Sequence, residues 1–147
     1  IRVVNIRFGV VLSPKGGALA KMLTPFKLGG GGVVGSGRQY WSWISLNDAA
    51  GAIYHALMTH SVRGPVNVVA TDSVTNREFT KTLGRVLSRP AITPVPALAA
   101  RIALGEMADG LLLSRTRVRP SRLVNSGYAF RHDSLEDALR HMLGRTT

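Results

Sequence analysis

The chain has 147 residues, 45% of them hydrophobic and 18% charged, enough for one globular domain with a sizeable core. With no cysteine it has neither disulfides nor thiolate metal sites, which is compatible with a cytoplasmic protein; no apolar run reaches about 18 residues, which excludes a transmembrane helix. Nineteen basic residues against eight acidic ones leave a formal net charge of +11, the composition of a protein that meets anions.

The opening Ile1-Arg2-Val3-Val4-Asn5 has neither an initiator methionine nor the pattern of a signal peptide, and a fragment or processed product is the expectation. Val3 to Leu12 is a β-branched apolar run whose one charge is Arg7; it predicts a strand buried on both faces. A Pro14-Lys15-Gly16-Gly17 turn leads to a helix over 18–27, and a glycine-rich stretch at 29–37 reads as a flexible loop at a pocket mouth. After Tyr40-Trp41-Ser42-Trp43, Asn47 or Asp48 can cap a helix reaching His60, with Ala49, Ala50, Ile53, Leu57 and Met58 on its inner face. Gly64-Pro65 ends that unit, and 66–69 is a second short buried strand.

Thr75 and Glu78 form a capping box for a helix over 76–88, lined inside by Phe79, Leu83, Val86 and Leu87 and stopped by Arg89-Pro90. A short extended piece at 92–96 precedes a helix over about 97–114, and an extended Arg-rich segment at 116–119 precedes a short helix between Pro120 and Gly127. The last helix has Ser134 as cap, acids early, Arg140 and His141 late, and Leu135, Ala138, Leu139, Met142 and Leu143 inward. Strands alternating with helices define an α/β class with a largely parallel sheet. A soft boundary near residue 90 separates a sheet-bearing part, 1–90, from a mostly helical, more basic subdomain, 91–147.

The motifs exclude more than they assign. Gly30, Gly32 and Gly35 spell G-x-G-x-x-G, but they follow a helix, no helix starts after them, and residue 55 is histidine where a ribose-binding acid belongs. No Lys-Ser or Lys-Thr follows, so a P-loop is excluded, and Gly35-Ser36-Gly37 lacks the flanking glycines of a nucleophile elbow. His55 and His60 lie on different helix faces, so no metal site is expected, and no carboxylate pair suggests acid/base work; no catalytic residue is assigned. Arg115, Arg117, Arg119 and Arg122 crowd together without aromatics, so anionic substrate or phosphate contact is expected ahead of nucleic acid.

Two stretches carry a resemblance: Arg7-Phe8-Gly9-Val10-Val11-Leu12 at a strand end, and Arg38-Gln39-Tyr40-Trp41-Ser42-Trp43-Ile44-Ser45-Leu46-Asn47-Asp48 before a helix. They resemble the extended short-chain dehydrogenase/reductases of the nucleotide-sugar epimerase group, the second stretch looking like their R-x-W-I-x-x-D-D segment. More narrowly, essentially all 147 residues are similar to the second half of an epimerase-like subfamily that ends in a domain of unknown function. Ser45, Asn47 and Gly30 depart from that pattern, where a histidine, an acid and a leucine are usual.

The resemblance implies the C-terminal part of a Rossmann-like doubly wound sheet with a helical substrate-side subdomain, and NADP(H) as the cofactor of the full-length protein. It implies cofactor contacts at Gly9, Val10 and Val11, with Gly9 admitting the cofactor close to the backbone, and substrate contacts at Arg38, Gln39 and Trp43 under a lid formed by 29–43. The family's glycine-rich pyrophosphate loop and Tyr/Lys catalytic region have no counterpart here. The expected partners are a small-molecule substrate and either the absent N-terminal half or a second copy, joined at exposed sheet edges. An interaction module binding an acidic partner through 115–122 is the rival reading.

Overall fold

The computed structural model describes residues 1–106 and 117–145. In chain order the elements are β1 (Val4–Phe8), β2 (Val10–Leu12), α1 (Gly17–Lys27), β3 (Tyr40–Trp41), β4 (Trp43–Ser45) and α2 (Leu46–Met58). Then come β5 (Gly64–Val68), β6 (Val74–Thr75), α3 (Asn76–Leu87), α4 (Ala97–Leu104), α5 (Ser121–Asn125) and α6 (Leu135–Met142). The part of the expected 97–114 helix beyond residue 106, and Arg115 with Thr116, lie outside the described residues.

The expected single strand over 3–12 is two strands, because the chain changes partners at Gly9. β1 runs parallel to β5 with Ile6 opposite Val66, and β2 runs parallel to β4 with Val11 opposite Ile44. At the switch Gly9 N–H donates to Val68 O at 3.2 Å and Val10 N–H donates to Ser42 O at 2.7 Å. A Cβ on Gly9 would stand 2.1 Å from Ser42 O and 2.7 Å from a Val69 methyl, so the crossing of two backbones dictates glycine here.

Alternate residues then feed two cores, as strand geometry requires. Val10 and Trp43 pack into a cluster with α1, α3 and α6, around Leu19, Phe79, Leu83 and Leu139. Val11 and Ile44 pack into a second cluster with Ala49, Ala52 and Ala56 of α2, Val66, Val68 and Leu123. Apolar cores on both faces of parallel strands are the doubly wound arrangement. β1 is less buried than its composition suggests: Asn5, Arg7 and Phe8 are exposed, and among the described residues its second edge has no strand partner.

Helix α2 reverses an expectation. Its buried face is Asp48, Ala49, Ala52 and Ala56, whereas Ile53, Tyr54, Leu57 and Met58 are exposed. Small side chains let the helix lie close against the strands, and that approach rotates the large apolar residues outward. The side chain capping it is Ser45, whose hydroxyl accepts from Asp48 N–H at 3.1 Å. Its other end is capped by Arg2, whose guanidinium donates to Ala56 O, Val62 O and Leu57 O at 2.8, 2.8 and 3.0 Å. Gly64-Pro65 does not end the unit but opens β5, with Pro65 opposite Asn5.

The expected capping box at Thr75–Glu78 is present in part: the Thr75 hydroxyl accepts from Glu78 N–H at 3.2 Å, but it donates to the Glu78 carboxylate at 3.1 Å, so that carboxylate bonds the hydroxyl and not Thr75 N–H. Ser134, by contrast, stands at the start of α6 without a side-chain cap bond; the Asp72 carboxylate accepts from Leu135 N–H at 3.5 Å instead. A Gly9→Ala variant is expected to lose about 2–3 kcal/mol, because the added methyl meets backbone that belongs to a paired strand. Urea unfolding checks this, and an unchanged midpoint would refute the strand-crossing account.

Candidate functional site

Asp48 organises the region around the start of α2. It is fully buried, at 0% exposure, yet no cation is bonded to it among the described residues. Instead Oδ1 accepts from the Tyr128 hydroxyl at 2.7 Å and from Arg131 N–H at 2.9 Å. Oδ2 accepts from His132 N–H at 2.9 Å and the Ser45 hydroxyl at 3.2 Å. Four donors and the first turn of a helix replace the water that a buried carboxylate gives up. Gly51 makes this possible, since a Cβ there would stand 2.5 Å from the Tyr128 hydroxyl. Burial first, then the hydrogen bond to Asp48 and its charge, push the Tyr128 pKa well above the usual tyrosine value, with Arg131 opposing weakly.

The stretch 38–43 alternates in register. Gln39, Trp41 and Trp43 are buried, while Arg38 is exposed and Tyr40 and Ser42 are half-buried on the opposite side. Arg38, Gln39 and Trp43 are therefore not brought together. Gln39 donates through Nε2 to Val34 O at 3.1 Å, and Trp43, 1% exposed, donates its indole N–H to Asp72 O at 2.6 Å. Both act from inside the core, on the glycine-rich loop and on the loop after β5. Arg38 alone of the three faces outward.

The loop at 29–37 is clamped and does not have the form of a lid. Val34 N–H is held by Asn76 Oδ1 at 2.8 Å, Gly35 N–H by Val95 O at 3.1 Å, and Val95 N–H by Val33 O at 3.0 Å. Cβ atoms on Gly31 and Gly32 would collide with the Phe26 ring and with Thr93 O. The glycines are the price of close packing, which explains why the dinucleotide spacing is coincidental.

Segment 117–120 closes over the outward face of this stretch. Ser42 Oγ accepts from Val118 N–H at 3.3 Å and the Ser73 hydroxyl donates to Val118 O at 3.1 Å. The Arg117 guanidinium sits 5.4 Å from the centre of the Tyr40 ring and donates to Ser73 O at 3.4 Å. A cleft of about 490 Å³ results, lined by Asp72, Ser73, Arg117, Arg119, Ser121 and Asn125 among others. It lies past the carboxyl end of β5, where parallel α/β sheets bind ligands. Arg119 is exposed there, and two guanidiniums at one cleft suit a carboxylate or phosphate. Asp72 and Ser73 were not singled out from the sequence; their place just after the strand Val66–Val69 was the available signal.

The expected cofactor stretch lies next to this crossing. Val10 and Val11 are half-buried on opposite faces and Phe8 is 46% exposed. These side chains are apolar and carry no charge that could grip a pyrophosphate. Among the described residues no group of three His, Cys, Asp or Glu side chains could hold a metal ion, and no helix is long and apolar enough to cross a membrane.

Parallel strands with cores on both faces, and a basic cleft beyond their carboxyl ends, are the arrangement of the later part of a Rossmann-like fold. Comparison with known proteins agrees. A profile described as a domain of unknown function, DUF1731, matches residues 95–142. An epimerase family protein of Mycobacterium bovis, Mb2239, is 45% identical over 144 residues, which are 98% of this chain and 48% of that protein. The structure of human epimerase family protein SDR39U1 with NADPH superposes with a TM-score of 0.88 at 41% identity, covering 97% of this chain and 48% of the human one. A nucleoside-diphosphate sugar epimerase from Corynebacterium glutamicum matches with a TM-score of 0.71 at 33% identity, over 97% of this chain and 26% of that one. Over nearly its whole length the chain is similar to the C-terminal half of these epimerase family proteins, in line with its resemblance to the extended short-chain dehydrogenase/reductases. It spans about half the length of the curated relatives it matches.

Asp48→Asn is expected to destabilise the chain by about 2–3 kcal/mol, because an amide N–H₂ then faces backbone donors. Tyr128→Phe should cost less, about 1–2 kcal/mol. Because the folded-state pKa of Tyr128 is raised, its stabilisation is complete below the unfolded value of about 10 and is lost as pH rises beyond it. Thermal melts between pH 8 and 11 should show that loss in the parent chain and not in Tyr128→Phe; identical alkaline slopes would refute the pairing.

Proposed function

We propose that this chain supplies the substrate side of an NADP(H)-dependent epimerase or oxidoreductase acting on a sugar-like or carbonyl substrate that bears an anionic group. The observation that carries this reading is the cleft with Arg117 and Arg119 past the carboxyl end of β5. It is supported by the NADPH in the human relative's structure and by the sugar-nucleotide description of the Corynebacterium protein.

In this chemistry a bound nicotinamide supplies or accepts hydride. The chain's own contribution is binding and orientation. The strand end at Gly9, Val10 and Val11 lies along the ring, with its backbone at Gly9 as the place of close approach. Arg119, Arg117 and Arg38 hold the anionic, hydroxyl-rich end of the substrate, so that binding energy remote from the reacting carbon fixes its position. Gln39 and Trp43 act from behind, holding the loops on which Arg38 and Asp72 stand.

The test joins this chain in cis to a family N-terminal half with a glycine-rich pyrophosphate loop. Calorimetric titration should show NADPH binding by the joined protein and none by the chain alone; micromolar binding by the chain alone would refute the assignment of roles. Arg119→Ala in the joined protein should raise KM at least tenfold with kcat changed far less. A KM within twofold of the parent would sink the anion-holding role.

The partner completing the sheet is, on the same reading, the other half of such a protein or a second copy. Phe8 and the free edge of β1, with Ile53, Tyr54, Leu57 and Met58 of α2, form the apolar surface such a partner covers. Light scattering on the chain alone is expected to report association, and a monomer across the micromolar range would count against it.

A further inference from the structure

A second basic feature lies on α3, apart from the cleft described above. Arg77, Lys81, Arg85 and Arg89 recur every fourth residue and all are exposed, which aligns them in one stripe along the helix and its C-terminal turn. The chain reverses at Ser88, in a left-handed conformation at φ 55°, and Arg89 N–H returns to Gly84 O at 2.9 Å. That turn brings Pro90, Ala91 and Ile92 back beside the stripe. Between them lies a second cleft of about 420 Å³, lined by Lys81, Gly84, Arg85, Arg89, Ala91 and Ile92 among others. Ile92 is 82% exposed.

The stripe has little internal use. Arg77 donates to Ser36 O at 3.2 Å, and Arg85 pairs with Glu136 at 3.2 Å, an ion pair whose arginine side chain is 58% exposed. Glu136 is shared with Arg140 at 2.8 Å, so one acid serves two cations and such a surface pair is weak. No ion pair engages Lys81 or Arg89 among the described residues. Like charges at four-residue spacing cost helix stability, and the Thr75 cap and buried Phe79, Leu83, Val86 and Leu87 carry that cost.

We propose that the α3 stripe is a docking surface for an acidic polypeptide segment carrying one apolar anchor, with its carboxylates on Lys81, Arg85 and Arg89 and the anchor against Ile92. The helical part of the stripe, from Arg77 to Arg85, is about 12 Å long, a little over two turns of a helical partner with acids every fourth residue. One feature favours a polypeptide over nucleic acid: no aromatic side chain lines the cleft for base stacking. One exposed isoleucine is also too little apolar surface for a membrane. The inference does not depend on the function proposed above.

The test uses the 147-residue chain and fluorescence anisotropy with a labelled helical peptide bearing glutamate at every fourth position and one central leucine. Two double variants reverse the same number of charges, Lys81→Glu with Arg89→Glu on the stripe and Lys15→Glu with Lys21→Glu elsewhere. The first pair is expected to weaken binding at least tenfold and the second less than threefold. Equal losses would mean unspecific attraction to a cationic protein and would overturn the proposal. Replacing the peptide's leucine by alanine, or Ile92→Ser, should each weaken binding several-fold; no change in either overturns the anchor. Tighter, stripe-dependent binding of a single-stranded oligonucleotide, or of vesicles with anionic lipid, would overturn the choice of partner. Melting temperatures of both double variants within a few degrees of the parent show that folding is not what changed.

Discussion

A buried carboxylate with no counter-ion among the described residues holds the later third of this chain in place. Asp48 is removed from water entirely, and a charge so placed is tolerated only when donors surround it. Those donors come from Ser45 at the helix start and from Tyr128, Arg131 and His132, 80 to 84 positions away. The same side chain thus starts α2 and fixes the path of 128–132 into α6. Because α6 shares its apolar cluster with α1 and α3, a local change at Asp48 reaches both sides of the sheet.

The second constraint is the close passage of backbone at Gly9 and in the glycine-rich loop. Gly9 stands where one strand leaves β5 and takes up β4, and its missing side chain is filled by Ser42 O. Gly31 and Gly32 play the same part against Phe26 and Thr93. These crossings put the outward face of 38–42 beside the end of β5, and segment 117–120 closes the cleft through Ser42 and Ser73. The cleft is the product of packing among segments distant in sequence, which is the usual origin of sites in doubly wound folds.

Two basic surfaces with different surroundings, one with Arg117 and Arg119 and one with Arg77, Lys81, Arg85 and Arg89, draw on the excess of basic residues. One is concave, flanked by serines and by Tyr40, and sits at a strand end. The other is a helix stripe beside an exposed isoleucine. The first geometry suits a small anion held from several directions; the second suits an extended partner contacted along a line.

The local signals in the sequence were sufficient for much of the secondary structure. The Thr75 cap of α3, the apolar periodicity of α3 and α6, and the Pro120–Gly127 bounds of α5 depend on neighbours within a turn or two, and the structure contains them. The alternating strands and helices likewise sufficed for the fold class. What composition could not convey was which face of a helix or strand another element would cover. An apolar pattern on α2 reads the same whether Ile53 and Leu57 point in or out; the close seat of Ala49, Ala52 and Ala56 on the strands decided it. Of the residues expected to hold substrate, Arg38 faces outward while Gln39 and Trp43 face the core, since strand alternation acts only once a register is chosen. Asp72, Ser73 and the partners of Asp48 belong to the same class: their roles rest on long-range contacts, and only the folded chain brings them together.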